Sequence, residues 1–395
     1  MIARGAGNHV RPASSFLVIE AKLSLVQSSN LSVRWIDGKA VLSNLRSRNR
    51  LRVTANVLSI INRVASPVDL ETLLAEYPEV ARPAIQTLLE ELLQLGFIES
   101  TDGFTGEACK WAAAFGPDAL AFHHATLDVG FVPFRSERSS ELAKQFAQDS
   151  QPARVKHYPQ AKRVYLPRLL PPLLVPLDDA FSRRRTHRDF TARPVSLNDL
   201  TTVLARSFGA TNFQDTGPLG TQLVKASPAG GSRHDVEAYV LAYNISELEA
   251  AIYHYNTLEH SLEFVAPLPD REYLLPIVAS QPHAVDSGFS VFMTSVLTRI
   301  AYKYRHPRAY RTWMYNAGHV AQTFALAATA VNLGPFQTAA FEDSQVSELL
   351  NLDPSEEFPT YLVGAGHPVL SSSGLPRDFR PAQPSSSLTQ ERHDP

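Results

Sequence analysis

The sequence predicts an α+β protein in two parts, a small strand-then-helix domain followed by a larger sheet flanked by helices. Three observations carry that prediction. Short apolar runs at strand spacing between Phe16 and Leu45 give way to helical spacing from Val53 onward. From about Leu177, strand and helix signals are interleaved, and they include one long Ala-rich helix. Between the two parts lies a stretch with few periodic segments and many prolines: Pro152, Pro159, Pro167, Pro171, Pro172 and Pro176.

In the first part, β-like runs are expected at Phe16–Ile19, Leu23–Val26, Leu31–Ile36 and Ala40–Leu45, after a loose start over residues 1–15. Asp37-Gly38 is a hairpin signal, because both residues tolerate positive φ. Val53, Val57, Leu58, Ile61 and Val64 then recur at helical spacing. Ser66-Pro67 reads as an N-cap and first-turn proline for a short helix through Leu70, Leu73 and Leu74. Ile85, Leu88, Leu89, Leu92 and Leu93 make an amphipathic face that Gly96 ends. Strands followed by three helices make a small domain of the winged-helix kind.

The expected division is 1–105 for this domain, 106–176 for a linker packing on the larger domain, 177–375 for that domain, and 376–395 for a disordered tail. One helix is expected in the linker, around Ser139–Phe146. In the larger domain Ser196 caps a helix faced by Leu197, Leu200 and Leu204 and stopped by Gly209. Val236–Asn244 reads as a strand, Ala251–Tyr255 with Ser261–Val265 as a hairpin, and Phe289–Thr294 as a strand passing into a helix near Arg299. Arg311–Asn332 reads as a central helix, apolar on most sides, and Tyr361–Gly364 as a final strand.

Composition narrows the function. The chain of 395 residues is 44% hydrophobic and 19% charged with net charge −2, so no global basic field argues for nucleic acid or an anionic membrane. One cysteine, Cys109, excludes an intramolecular disulfide and a cysteine-rich metal site. No apolar run is long enough to span a bilayer and no signal peptide is visible, so the expected location is cytoplasmic.

Two segments point to an anionic, flat ligand. Ser182-Arg183-Arg184-Arg185-Thr186-His187-Arg188-Asp189-Phe190 offers guanidinium forks and a hydroxyl suited to phosphate. Ser227-Pro228-Ala229-Gly230-Gly231-Ser232-Arg233-His234 is a bend with little side-chain bulk, so its backbone can approach a ring closely. A third segment, Tyr302-Lys303-Tyr304-Arg305 followed by Arg308-Ala309-Tyr310-Arg311, fits an ordinary amphipathic helix end as well as a catalytic group. Buried beside other cations, its lysine could serve as a base.

Taken in order, these segments resemble the nitroreductase-like FMN enzymes, and specifically their SagB-type dehydrogenase branch, over about residues 110–375. The resemblance implies a nitroreductase-like, antiparallel-rich mixed sheet flanked by helices, and FMN held at a homodimer interface. By position it assigns Arg184, Arg185, Thr186 and Arg188 to the phosphate and flavin ring, with Phe190 as a core anchor. Ser227, Pro228, Ala229, Gly231 and Arg233 fall in the second flavin segment, and Ala339 and Ala340 in a turn whose backbone faces flavin N5. Lys303 and Tyr304 match the pair that the branch uses to oxidise azolines.

Asn316-Ala317-Gly318-His319-Val320-Ala321-Gln322 resembles a family helix that usually starts with an acidic residue; His319 and Gln322 are expected to be buried there. Gly364-Ala365-Gly366-His367-Pro368 resembles the closing segment of the fold, with Arg377 and Arg380 as further phosphate cations. The implied activity is oxidation of thiazoline or oxazoline rings in a modified precursor peptide. An NAD(P)H-driven reductase is the alternative enzyme.

The N-terminal part separately resembles the PqqD-like peptide-recognition domain. That implies a leader peptide on a strand edge lined by Arg34, Lys39, Arg46, Arg48, Arg50, Arg52 and Arg63, opposed by Asp37 alone, and possible association with a cyclodehydratase. A solvated basic face, or a DNA-binding winged helix with the flavin domain as sensor, fits the same residues.

Overall fold

The computed structural model describes residues 23–47, 49–101, 113–131, 144, 149–216 and 220–375. Expectations for residues 1–15, Phe16–Ile19, Arg48, Cys109, the Ser139–Phe146 helix (apart from Lys144), Arg377, Arg380 and the 376–395 tail lie outside the described residues. Described residues up to 130, with 306–308, form one compact unit, and those from 131 onward form the other.

The first unit runs β1 (Ser24–Gln27), β2 (Leu31–Ile36), β3 (Lys39–Asn44), β4 (Arg50–Val53), α1 (Ala55–Arg63), β5 (Val68–Asp69), α2 (Leu70–Ala75), α3 (Arg82–Gln94), β6 (Ile98–Ser100) and α4 (Pro117–Ala125). Asp37 and Gly38 take φ of 50° and 70°, as a tight β2–β3 hairpin requires. Gly96 takes φ of 73° just past α3, the left-handed conformation that ends a helix. Leu25, Leu42, Ile60, Ile61, Leu73, Leu89, Leu92 and Phe97 fill the core.

Ser66-Pro67 does not start a helix. Val68 pairs with Leu25 in a sheet, and α2 begins only at Leu70 with Asp69 as its N-cap. The basic stretch also has an acidic partner besides Asp37, since Arg63 forms a salt bridge with Glu76.

The second unit is built on a seven-stranded antiparallel sheet in the order β14-β15-β13-β10-β11-β12-β7. In chain order the elements are β7 (Arg163–Tyr165), α5 (Leu177–Arg183), α6 (Leu197–Ser207), β8 (Ala210–Asp215), β9 (Thr221–Lys225), β10 (Val236–Ala242), β11 (Ala251–Asn256), β12 (Ser261–Pro267), α7 (Arg271–Ile277), α8 (His283–Asp286), β13 (Phe289–Val296), α9 (Leu297–Ala301), α10 (Ala309–Ala330), β14 (Gly334–Thr338), α11 (Asp343–Leu349) and β15 (Glu357–Gly366). The fold is therefore α+β, with an antiparallel sheet flanked by helices.

Strand alternation sorts the two faces. Val236, Ala238 and Val240 point into a core with Leu200, Leu204, Ala317, Val320 and Phe324 from α6 and α10. Tyr239, Leu241 and Phe292 face the other way, onto Leu274, Ile277 and Val346 from α7 and α11. Ser196 caps α6 by accepting from the Asp199 N–H at 3.0 Å, as its sequence predicts.

Three features depart from the sequence reading. The sheet takes an edge strand, Arg163–Tyr165, from the stretch read as linker, because Val164 pairs opposite Leu262. The β8–β9 hairpin is present where no strand was expected. And α10 is apolar on one face only: His319 and Gln322 are exposed rather than buried, together with Met314 and Tyr315.

Candidate functional site

The Gly-rich bend and the Lys303–Tyr304 pair meet at one end of the sheet, beside the first turns of α10. Asn316 on that helix organises the bend. Its side-chain oxygen accepts from the Gly230 N–H at 3.0 Å, and its amide donates to Asp235 at 2.5 Å. Burial pushes the Asp235 carboxyl up to about 6, and its hydrogen bond to Asn316 holds it down only in part. A neutral amide at 316 thus bonds a buried carboxyl and a backbone donor at once, which an ionised acidic residue could not do. Ser227 is fixed by Thr323, 2.6 Å away, and by the His319 carbonyl.

Within the bend Gly231 takes φ of 62°, and a Cβ there would lie 2.8 Å from Lys303 Nζ and against the Tyr304 hydroxyl. A Cβ on Gly230 would collide with Thr312. Both positions therefore require glycine for a close approach. Lys303 Nζ lies 3.5 Å from the Gly231 carbonyl.

The lysine is half-buried, and that burial, reinforced by the Arg233 charge, holds its amine below the ordinary lysine range. Burial raises the Tyr304 phenol, against a smaller opposing effect of Arg233. Arg233 is 4% exposed and stacks its guanidinium 4.5 Å over the Tyr302 ring. Among the described residues, its Nε and Nη2 have no hydrogen-bond partner. Two buried cationic donors without a protein acceptor suit an anionic or carbonyl-rich ligand edge.

The arginine run lies elsewhere. Arg183 closes α5, and Arg184 to Asp189 run on beyond it without helical structure. Arg183 donates to the Asn332 side chain at 2.6 Å, and the His187 N–H to the Pro335 carbonyl at 3.0 Å. Phe190 bridges Pro368 and packs 6.0 Å from Phe336, so it anchors the segment. Arg184, Arg185 and Thr186 are half-buried and Arg188 is exposed. The bend is met by His319 within α10, whereas Arg183 meets Asn332 two residues past the end of that helix.

Ala339 and Ala340 form a third location. They are exposed after β14, with Ala340 held by Thr338 and Gln281. One chain therefore brings the bend, with Gly231 and Arg233, together with Lys303 and Tyr304. Among the described residues no His, Cys, Asp and Glu cluster could hold a metal ion, and no helix is long and apolar enough to cross a membrane.

Residues 181–367, which contain these segments, match the family model described as Nitroreductase family. This part of the chain is similar to the nitroreductase family. Two curated relatives are similar over part of the chain. The Trifolitoxin-processing protein TfxB of Rhizobium leguminosarum bv. trifolii is 26% identical over 254 residues, covering 60% of this chain and 67% of that protein. The protein named "Putative nitroreductase MJ1384" of Methanocaldococcus jannaschii is 26% identical over 200 residues, 49% of this chain and 92% of that protein. Among solved structures, one titled a "putative nitroreductase" from Anabaena variabilis aligns with a TM-score of 0.46 at 23% identity. The alignment covers 62% of this chain, which spans about half (49%) of that one.

Sequence reasoning missed a buried charge network beside the Gly-rich bend. Glu237, His254 and Glu263 sit on neighbouring strands of one sheet face, with Arg299 on α9 reaching Glu237. The legible signal was a lone ionisable residue in each apolar strand, in Val236-Glu237-Ala238, Tyr253-His254-Tyr255 and Leu262-Glu263-Phe264.

Proposed function

We propose that this protein is an FMN-dependent dehydrogenase that oxidises azoline rings to azoles in a ribosomally made precursor peptide. The observation that carries the proposal is the contact between Lys303–Tyr304 and the Gly231 bend, with the buried cation Arg233 beside it. The family match supports an oxidoreductase, and the similarity to a protein named for trifolitoxin processing supports a peptide substrate.

The residues present fit FMN. The Gly230–Gly231 wall would be filled by any Cβ, and Arg233 carries two buried donors that lack an acceptor among the described residues. Arg184, Arg185, Thr186 and Arg188 would hold the phosphate; the backbone of Ser227–Gly231 and Arg233 would border the ring, with Ala339–Ala340 along another edge. As the resemblance to the FMN enzymes implies, each site would be completed by a second copy, making a homodimer.

Bound FMN supplies a hydride acceptor. Lys303 in its neutral form removes the proton from one azoline ring carbon as the hydride leaves the other, and the ring becomes aromatic. Desolvation keeps the amine neutral at lower pH than an exposed lysine. Tyr304, un-ionised because burial raises its phenol, orients the ring or relays the proton.

In the N-terminal unit, edge strand β2 carries exposed Val33, Arg34 and Trp35, and edge strand β4 carries exposed Arg50 and Arg52. An acidic leader peptide adding to such an edge would bring the substrate, and a cyclodehydratase would make the azoline. Purified Lys303→Ala should keep its flavin and lose azoline oxidation. Unchanged turnover would remove Lys303 from the mechanism.

A further inference from the structure

Arg299 is 4% exposed and spends each of its three nitrogens on a different segment of the chain. Nη2 meets Glu237 Oε1 on β10 at 2.5 Å. Nε donates to the Ala153 carbonyl at 2.8 Å. Nη1 donates to the His234 carbonyl, at the end of the Gly-rich bend, at 3.2 Å. Lys303 follows Arg299 by four residues, two past the end of α9, so one short stretch of backbone joins them. That stretch is tied to α9, since the Lys303 and Tyr304 N–H groups both donate to the Ile300 carbonyl.

Glu237 is itself held. Its Oε2 meets His254 Nε2 at 3.0 Å, and His254 Nδ1 meets Glu263 Oε2 at 3.0 Å, with His254 and Glu263 both 0% exposed. A ring with a carboxylate at each nitrogen donates at both, so His254 is an imidazolium. Asn256 and Arg163 complete Glu263, at 3.0 and 3.3 Å.

We propose that Arg299, clamped by the Glu237–His254–Glu263 chain, is the positioning residue that holds the Gly231 bend and the Lys303–Tyr304 pair in contact. The inference deepens the reading of Lys303 given above, and its geometry stands whether or not Lys303 is the base. A guanidinium is suited to the task because its three nitrogens lie in one rigid plane. A lysine keeps the charge but leaves the plane undefined.

The test follows the Lys303 amine directly. In the purified dimer, the reactivity of Lys303 toward acetic anhydride is measured against pH by peptide mass spectrometry, for wild type, Arg299→Lys, and the double variant Glu237→Gln with Arg299→Met. The double variant removes both charges together and leaves no unpaired ion. In both variants the Lys303 midpoint should move toward that of an exposed lysine. At a fixed pH below the midpoint, labelling should then slow by at least about threefold, the factor for half a pH unit.

A wild-type midpoint in folded Arg299→Lys and in the folded double variant would overturn the proposal. Loss of the fold in both would overturn it too, because Arg299 would then hold the sheet and not the pair. Lys303→Ala turnover separates the two claims: if it is undiminished, the base assignment fails while the labelling shift still reports the positioning.

Discussion

Replacing Gly231 with alanine should injure catalysis far more than folding. Gly231 has φ of 62°, and a left-handed conformation costs an ordinary residue about 1–2 kcal/mol. For a domain of this size that lowers the melting temperature by about 2–4 °C per kcal/mol. The new methyl would lie 2.8 Å from both Lys303 Cδ and Nζ. Normal contacts are about 3.5–4.0 Å, so Lys303 must retreat by about 1 Å. Displacement on that scale costs a reacting group about 100-fold in rate. The assay is azoline-peptide turnover and thermal melting of Gly231→Ala beside Gly130→Ala, whose Cβ meets nothing within 4 Å. Wild-type turnover in Gly231→Ala would refute the argument that the bend and the lysine share one site.

The remaining predictions concern charge. Arg184→Ala together with Arg188→Ala should purify without FMN, read from the visible spectrum; full occupancy would break the phosphate assignment. The turnover of wild type should rise with pH through a titration below the ordinary lysine value, because Lys303 must be neutral to act. Arg233→Gln should move that limb to higher pH, since one neighbouring cation is gone; an unmoved limb would show that Arg233 does not act on Lys303.

His254→Leu should lose roughly 3–5 kcal/mol near pH 6, because two buried carboxylates lose their shared cation. Glu237 and Glu263 are depressed, so their contribution is present above pH 4.5 and fades as pH falls through their folded values. His254 is raised, so its contribution is present below 6.5 and fades as pH rises through its folded value. The gap between wild type and His254→Leu, followed by chemical denaturation, should therefore narrow at both ends of the pH range. A gap independent of pH would contradict the imidazolium.

What was legible in the sequence follows from what local chemistry can encode. The β2–β3 hairpin, the Gly96 helix end and the Ser196 cap each depend on residues within one turn of one another. Val236, Ala251, Phe289 and Tyr361 announced central strands because both faces of each are covered. Edge strand Arg163–Tyr165 was hidden because only three residues pair, inside a proline-rich stretch. The exposure of His319 and Gln322 was missed because small residues on several faces of α10 resemble full burial. Gly231 and Lys303, which lie together, could be named from motifs, but Arg299, Glu237 and His254 could not. Their pairing spans helix and sheet, and no local spacing records it.

The most direct test is the visible spectrum of the purified protein under anaerobic conditions, before and after adding an azoline-bearing peptide and, separately, NADPH. Flavin bands that bleach with the peptide and persist with NADPH are the predicted result. Bleaching by NADPH alone would make the protein a reductase, and an absence of flavin even after added FMN would contradict the assignment altogether.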